Sequence, residues 1–206
     1  MLNFDQVIRT IGPQAYELQQ LDVTGDAKAL NAVSSRNDIA RSQSIINWLR
    51  YYAVWRGLNS AERNMIAQAA LAWCDSQPAT SSRADLEYLV RAHEELARAC
   101  RAAVNGKRQF ESLASKVLWL RYPYDTPIFD GNAQRALWVL SKCQSRVLLV
   151  PPKATTYGQF TAVWNQFYSR HRGAIESIDI GDYPYRVRIF DRILWMLGAP
   201  RYTLPI

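Results

Sequence analysis

Apolar residues recur along this chain at the three- and four-residue spacing of helices, and no stretch alternates as a convincing strand would. Ile39, Ile46, Leu49, Ala53 and Val54 mark one long amphipathic segment, and Met65 to Trp73 a second. Leu86, Leu89, Val90, Leu96, Ala97, Cys100 and Val104 mark a third, preceded by an approximate capping box from Ser82 to Asp85 in which Asp stands for the usual Glu or Gln. The first half therefore reads as a helical bundle. After Asn105-Gly106, a helix from about Phe110 to Arg121 is closed by Tyr122-Pro123, and a proline-containing turn leads into a helix from Gly131 to about Lys142. Val147 to Pro152 reads either as a short strand or as a buried connector. Thr155-Thr156 caps an aromatic helix carrying Tyr157, Phe160, Trp164, Phe167 and Tyr168. Arg186 to Gly198 forms a last helix, with Val187, Phe190, Leu194 and Leu197 on one face and Gly198 at the expected stop. The expected fold class is all-α: an N-terminal helical subdomain, 1–105, and a C-terminal one, 106–206, within one compact domain and sharing a cleft.

Composition narrows the function classes. With 49% hydrophobic residues in 206, the chain can bury one good core or two small ones. No run of eighteen apolar residues appears, and Met1 to Gln20 lacks the layout of a signal peptide, which points to a soluble cytoplasmic protein with no membrane partner. Cys74, Cys100 and Cys143 are too scattered for a disulfide framework or a metal site, and His93 and His171 are the only histidines, so no metal or other cofactor is expected. The net charge of +7 sits in the second half: residues 1–100 carry 10 basic and 11 acidic side chains, residues 101–206 carry 15 and 7. Arginine outnumbers lysine 20 to 5, which favours bidentate contact with phosphate and hence a nucleic-acid partner.

The stretch SKVLWLRYPYDTPIFD, 115–130, places one of the few lysines in an apolar helix and ends on an aspartate. At 100° per residue Phe110, Leu113, Val117 and Leu120 share a face, and Lys116 falls at its edge. There its amine is either partly desolvated, and so nearer to a nucleophile, or simply reaches to water. Asp130 is placed to cap the next helix, which either is its whole purpose or also holds an anion where positive charge develops.

The pattern S-K-V-L-W-L-x-x-P-x-x-x-P-I-x-D, followed about sixty residues later by R-I-x-D-R-I-L-W-M-L-G, resembles the C-terminal half of 8-oxoguanine glycosylase-like proteins in the helix-hairpin-helix DNA glycosylase superfamily, over roughly residues 107–198. The resemblance implies two helical subdomains holding duplex DNA with one nucleotide extruded, Lys116 as the amine that attacks C1′ with possible lyase activity to follow, and Asp130 as the carboxylate that stabilises the oxocarbenium-like sugar. The implied substrate is an oxidised or modified base. Trp119, Tyr122, Trp138 and Tyr157, and less readily Trp164, are available to stack on that base or to fill the core. Arg121, Arg135, Arg186 and Arg188 flank the pocket or the closing helix and are the expected DNA contacts. NGKRQFESLA stands where the superfamily has its phosphate-binding Leu-Pro-Gly hairpin, and no four-cysteine cluster for iron and sulfur follows. The competing reading is a non-catalytic module on the same fold, binding nucleic acid or a protein, with Lys116 as a phosphate contact and Asp130 as a cap.

Overall fold

The computed structural model describes residues 3–34, 38–77, 85–106, 108–144 and 155–200, and among these every regular element is a helix. The expected strand or connector at Val147–Pro152 and the Ser82 end of the expected capping box lie outside the described residues. The chain divides into two units. One, the inserted unit, is Asp22–Thr126; the other, the split unit, combines Met1–Leu21 with Pro127–Ile206. Residue 105, the boundary expected from the sequence, falls inside the inserted unit. Counted by unit, the basic excess is shared: 14 basic and 11 acidic residues in the inserted unit, 11 and 7 in the split one.

The inserted unit contains α2 (Val23–Ser34), α3 (Asp38–Tyr51), α4 (Ser60–Ser76), α5 (Leu86–Ala103) and α6 (Glu111–Arg121). Local chemistry sets the ends of several of these. Asn59 and Glu62 form a reciprocal capping box at α4, and the Asp85 carboxylate accepts the Tyr88 N–H at 2.7 Å to start α5. The helix α3 stops at a left-handed Ala53, φ +53°, with Val54 N–H returning to the Leu49 carbonyl and Ala53 N–H to that of Arg50, a Schellman arrangement in which an alanine fills the usual glycine position. The core element is α6. Every residue from Leu113 to Leu120 is buried, so the helix has no solvent face, and α2 and α5 pack against it. The expected stripe of Leu113, Val117 and Leu120 is present, but it is one side of an element covered on all sides.

One contact inside this unit is pH-sensitive. His93 of α5 is fully buried, and its Nε2 lies 2.9 Å from the Glu111 carbonyl, joining α5 to the first turn of α6. Burial pushes its pKa down from 6.5 to about 4, outweighing the Glu111 backbone bond; the Glu111 carboxylate, 3.5 Å from Nδ1, does not reverse the direction. A histidine kept neutral on folding stabilises the protein above its unfolded pKa, and that contribution drains away as pH falls through the window from 6.5 toward 4. Between pH 7 and 4.5, wild type should lose about 2–3 kcal/mol more unfolding free energy than His93→Gln, as followed by urea titration. Equal losses in the two proteins would remove His93 from the acid response.

The split unit contains α1 (Phe4–Gln20), α7 (Gly131–Gln144), α8 (Tyr157–Arg170), α9 (Arg172–Glu176) and α10 (Arg186–Gly198). Thr156 and Gln159 cap α8 reciprocally, as the Thr155-Thr156 pair suggests. Here α10 is the core element, packed by α1 and α7 and buried at Val187, Ile189, Phe190, Ile193, Leu194 and Met196.

Candidate active site around Lys116

The position of Lys116 differs from its expected place at a boundary. It is 2% exposed, because α6 is enclosed on every side. Its Nζ donates to the Ser112 hydroxyl at 2.9 Å, one helical turn back, and lies 5.5 Å from the centroid of the Tyr52 ring. Ser112 and Tyr52 are both only half-buried, so the amine sits one side chain below the surface, under a hydroxyl and an aromatic face. Tyr52 stands between the last residue of α3, Tyr51, and the left-handed turn at Ala53.

The same ring connects to a buried acid that the sequence reading passes over. Asp26 of α2 is 1% exposed, and its Oδ1 accepts the Trp48 indole N–H at 2.8 Å and the Tyr52 hydroxyl at 3.4 Å. Trp48 in turn stacks on Trp119, with centroids 5.9 Å apart and planes 10° from parallel, and meets Tyr52 edge to face at 4.8 Å. Lys116, Ser112, Tyr52, Asp26, Trp48 and Trp119 therefore form one internal cluster of an amine, a carboxylate, two hydroxyls and three rings.

The other candidates of this unit are structural in their contacts. Trp119 is fully buried in that stack. Tyr122 is buried with its hydroxyl 2.7 Å from that of Tyr88; burial, then the bond to Tyr88, raises its pKa. Arg121 is half-buried, donates to the Gln77 carbonyl at 3.1 Å and lies over the Tyr122 ring. Cys74 and Cys100 are buried thiols with pKa values pushed up to about 12 by burial, which leaves them inert.

In the split unit, the Asp130 carboxylate accepts the Asn132 N–H at 2.8 Å and its carbonyl accepts the Gln134 N–H, so it does cap α7, while remaining half-exposed. The loop leading to it is latched from two helices. The Tyr157 hydroxyl donates to the Pro127 carbonyl at 3.1 Å, and the Ile128 N–H donates to Asp191 at 3.0 Å. Asp191 also accepts the Trp164 indole N–H at 2.8 Å and is buried in α10. Tyr157 is thus part of the latch, its phenol pKa raised by burial and then by the Asp191 charge. Trp138 keeps an exposed share, with Lys142 Nζ 3.8 Å over its ring. Arg135 is exposed and donates to Asn132 and to the Gly198 carbonyl. Arg186 spends its guanidinium on the Ile175 and Ile178 carbonyls, and Arg188 is only 4% exposed. Of the four expected DNA contacts, Arg135 is the exposed one.

The geometry can do two things. It can hold a lysine amine out of water within a shell of hydroxyl and aromatic groups, and it can hold a carboxylate at a helix N-terminus on a latched loop. Among the described residues, no three His, Cys, Asp or Glu side chains converge on a metal position, and no helix is long and apolar enough to cross a membrane. No protein-family model, curated protein or solved structure matches the chain.

Proposed function

We propose that this protein is a DNA glycosylase that uses the Lys116 amine to remove an oxidised or otherwise modified base. The observation that supports the reading is the 2% exposure of Lys116, whose Nζ lies against Tyr52 and Ser112. Burial disfavours an ammonium relative to an amine, and a lysine nucleophile needs the amine. In the reaction the lone pair of Nζ forms a bond to C1′ of an extruded nucleotide while the C1′–N bond breaks; the departing base takes those electrons and a proton. Loss of a proton from nitrogen and opening of the sugar at O4′ leaves a C1′ Schiff base, from which elimination at C3′ would cut the strand. Asp130 would face the positive sugar, in the role that the sequence resemblance assigns to it. Exposed arginines such as Arg135, and Arg108 beside the Arg56 carbonyl at the start of α6, would meet phosphates.

The second reading is a nucleic-acid-binding module without catalysis, and the same burial favours it, since no substrate reaches Nζ while Tyr52 covers it. Borohydride treatment with duplexes carrying an abasic site or varied lesions separates the two. A glycosylase gives a covalent adduct that maps to Lys116 in a peptide digest. A module gives none, yet binds with log K falling by about 0.9 per phosphate contacted as log salt rises. Asp130 has its own test. Asn is about as good a cap as Asp, so Asp130→Asn should shift stability by no more than about 1 kcal/mol. Base release in a single turnover should meanwhile slow on the order of a hundredfold. Turnover near wild type would reduce Asp130 to a cap.

A further inference from the structure

We propose that a cleft between α3 and α4 is a binding site for an amine-bearing nucleobase, free or carried by a nucleoside. The two helices pack together in the inserted unit yet leave a cleft of about 530 Å³, within the size range of small-molecule sites. Gln43 and Ile46 face it from α3; from α4, Asn64, Gln68, Leu71 and Asp75 recur at every third or fourth residue, a stripe about 16 Å long. Ile46 and Leu71 are buried and give the cleft an apolar floor. Above that floor stand three amides. Gln43 Nε2 donates to Asn47 Oδ1 at 2.9 Å, which orients its carboxamide, whereas the amides of Asn64 and Gln68 bond to no other group among the described residues. At the end of the stripe is the Asp75 carboxylate. Its charge is matched by Arg41, whose guanidinium nitrogens lie 2.5 and 3.0 Å from its two oxygens and which is itself only 4% exposed. Asp75 is exposed and keeps lone pairs for further donors.

These groups specify a ligand. No lysine or arginine among the described residues lines the cleft, so a phosphate or carboxylate finds no cation there and the ligand is neutral. A carboxamide presents a donor and an acceptor side by side, and the edge of a nucleobase presents the complementary pair in one plane; Asn and Gln meet adenine at N6 and N7 in this way. Asn64 and Gln68, four residues apart on one helix face, can meet two edges of the same ring system. Amides turn over to suit a donor or an acceptor, but a carboxylate only accepts, so Asp75 selects a base with an exocyclic amine. The flat face of that base covers Ile46 and Leu71. The cleft shares no residue with the Lys116 cluster, and the proposal does not rest on the glycosylase reading.

Isothermal titration calorimetry of the full chain with adenine, adenosine, adenosine monophosphate and hypoxanthine tests the site. Adenine and adenosine should bind with Kd of about 1 mM or tighter, the monophosphate no tighter than the nucleoside, and hypoxanthine, which lacks the amine, about tenfold more weakly than adenine. Asn64→Leu and Gln68→Leu, at exposed positions, should each weaken adenine about tenfold. Ala72→Trp, which fills the cleft from its exposed wall, should abolish binding, and melting temperatures show whether each variant is folded. If Ala72→Trp does not fold, the two leucine variants decide. Absence of adenine and adenosine binding, a monophosphate preferred over the nucleoside, hypoxanthine bound as well as adenine, or binding unchanged in the folded variants would each overturn the site. Borohydride trapping on an abasic duplex, measured beside the titrations, keeps the two proposals apart. Adenine binding without trapping upholds the cleft and removes the glycosylase reading, and trapping without adenine binding does the reverse.

Discussion

Lys116→Gln should lose borohydride trapping on an abasic duplex by a hundredfold or more, and it should also lower the melting temperature. The first effect follows from chemistry: an amide nitrogen has no lone pair free to attack C1′, and no other lysine among the described residues is held out of water. Lys142, the control within the described residues, is exposed with its Nζ over Trp138, and its loss should change trapping and melting little. The second effect follows from burial. A lysine at the rim of a stripe can be exchanged freely, whereas one at 2% exposure is packed on every side, and the shorter glutamine gives up its bond to Ser112 and its contact with the Tyr52 ring, a loss of about 1–3 kcal/mol. Trapping therefore has to be compared well below both melting points. A Lys116→Gln protein that is folded and still traps at the wild-type rate would remove Lys116 as the nucleophile.

The contrast between rim and core shows what the sequence could carry. Helix ends were legible because they are written locally. Asp130 before Gly131 and Thr156 before Tyr157 each cap the helix they precede, whereas at α5 the cap is Asp85 itself, which the sequence pattern places at the third helical position of a box begun by Ser82. Helix faces were legible only where a helix has a solvent side. α6 is enclosed and α10 is buried over most of its surface, with Trp195 left exposed, so their periodic stripes understate their burial, and the polar residues off the stripe, Lys116, Arg188 and Asp191, end up inside. Their neighbours come from far along the chain: Tyr52 approaches Lys116, and Ile128 and Trp164 approach Asp191. Asp26 had no local signal at all. Its helix, α2, buries only Ala29, Ala32 and Val33 beside it, too few and too small to mark a face. The helix α1, in contrast, has a readable face in Phe4, Ile8, Ile11 and Ala15. What no local pattern holds is its partnership with the chain after Pro127, which divides the protein at 21 and 126 instead of at 105.

Gly198→Ala should destabilise the split unit by about 3 kcal/mol, opposite in sign to what helix propensity gives. By propensity alone, alanine in place of glycine in a helix gains up to about 1 kcal/mol. Gly198, however, is the buried last residue of α10, and a Cβ there would stand 1.8 Å from the Asn132 carbonyl oxygen and 2.6 Å from its carbonyl carbon. The obstacle is backbone, in the first turn of α7, and it has no rotamer in which to yield, so α7 and α10 must separate. Gly12 offers the comparison. A Cβ there meets the Ile178 side chain, 2.6 Å from Cδ1 and 2.7 Å from Cγ1, an obstacle of side chain in place of backbone, and Gly12→Ala should cost less. The separation at Gly198 also reaches the proposed carboxylate. Asn132 is the residue whose N–H the Asp130 carboxylate caps, and Arg135 donates to both Asn132 and the Gly198 carbonyl. Moving α7 therefore moves the cap, and single-turnover base release, where it occurs, should slow at temperatures at which Gly198→Ala is still folded. Urea unfolding of the two alanine variants beside wild type measures the difference. Equal stabilities at Gly198 and Gly12, or a gain at Gly198, would mean that the α7–α10 contact is looser than the 1.8 Å approach requires.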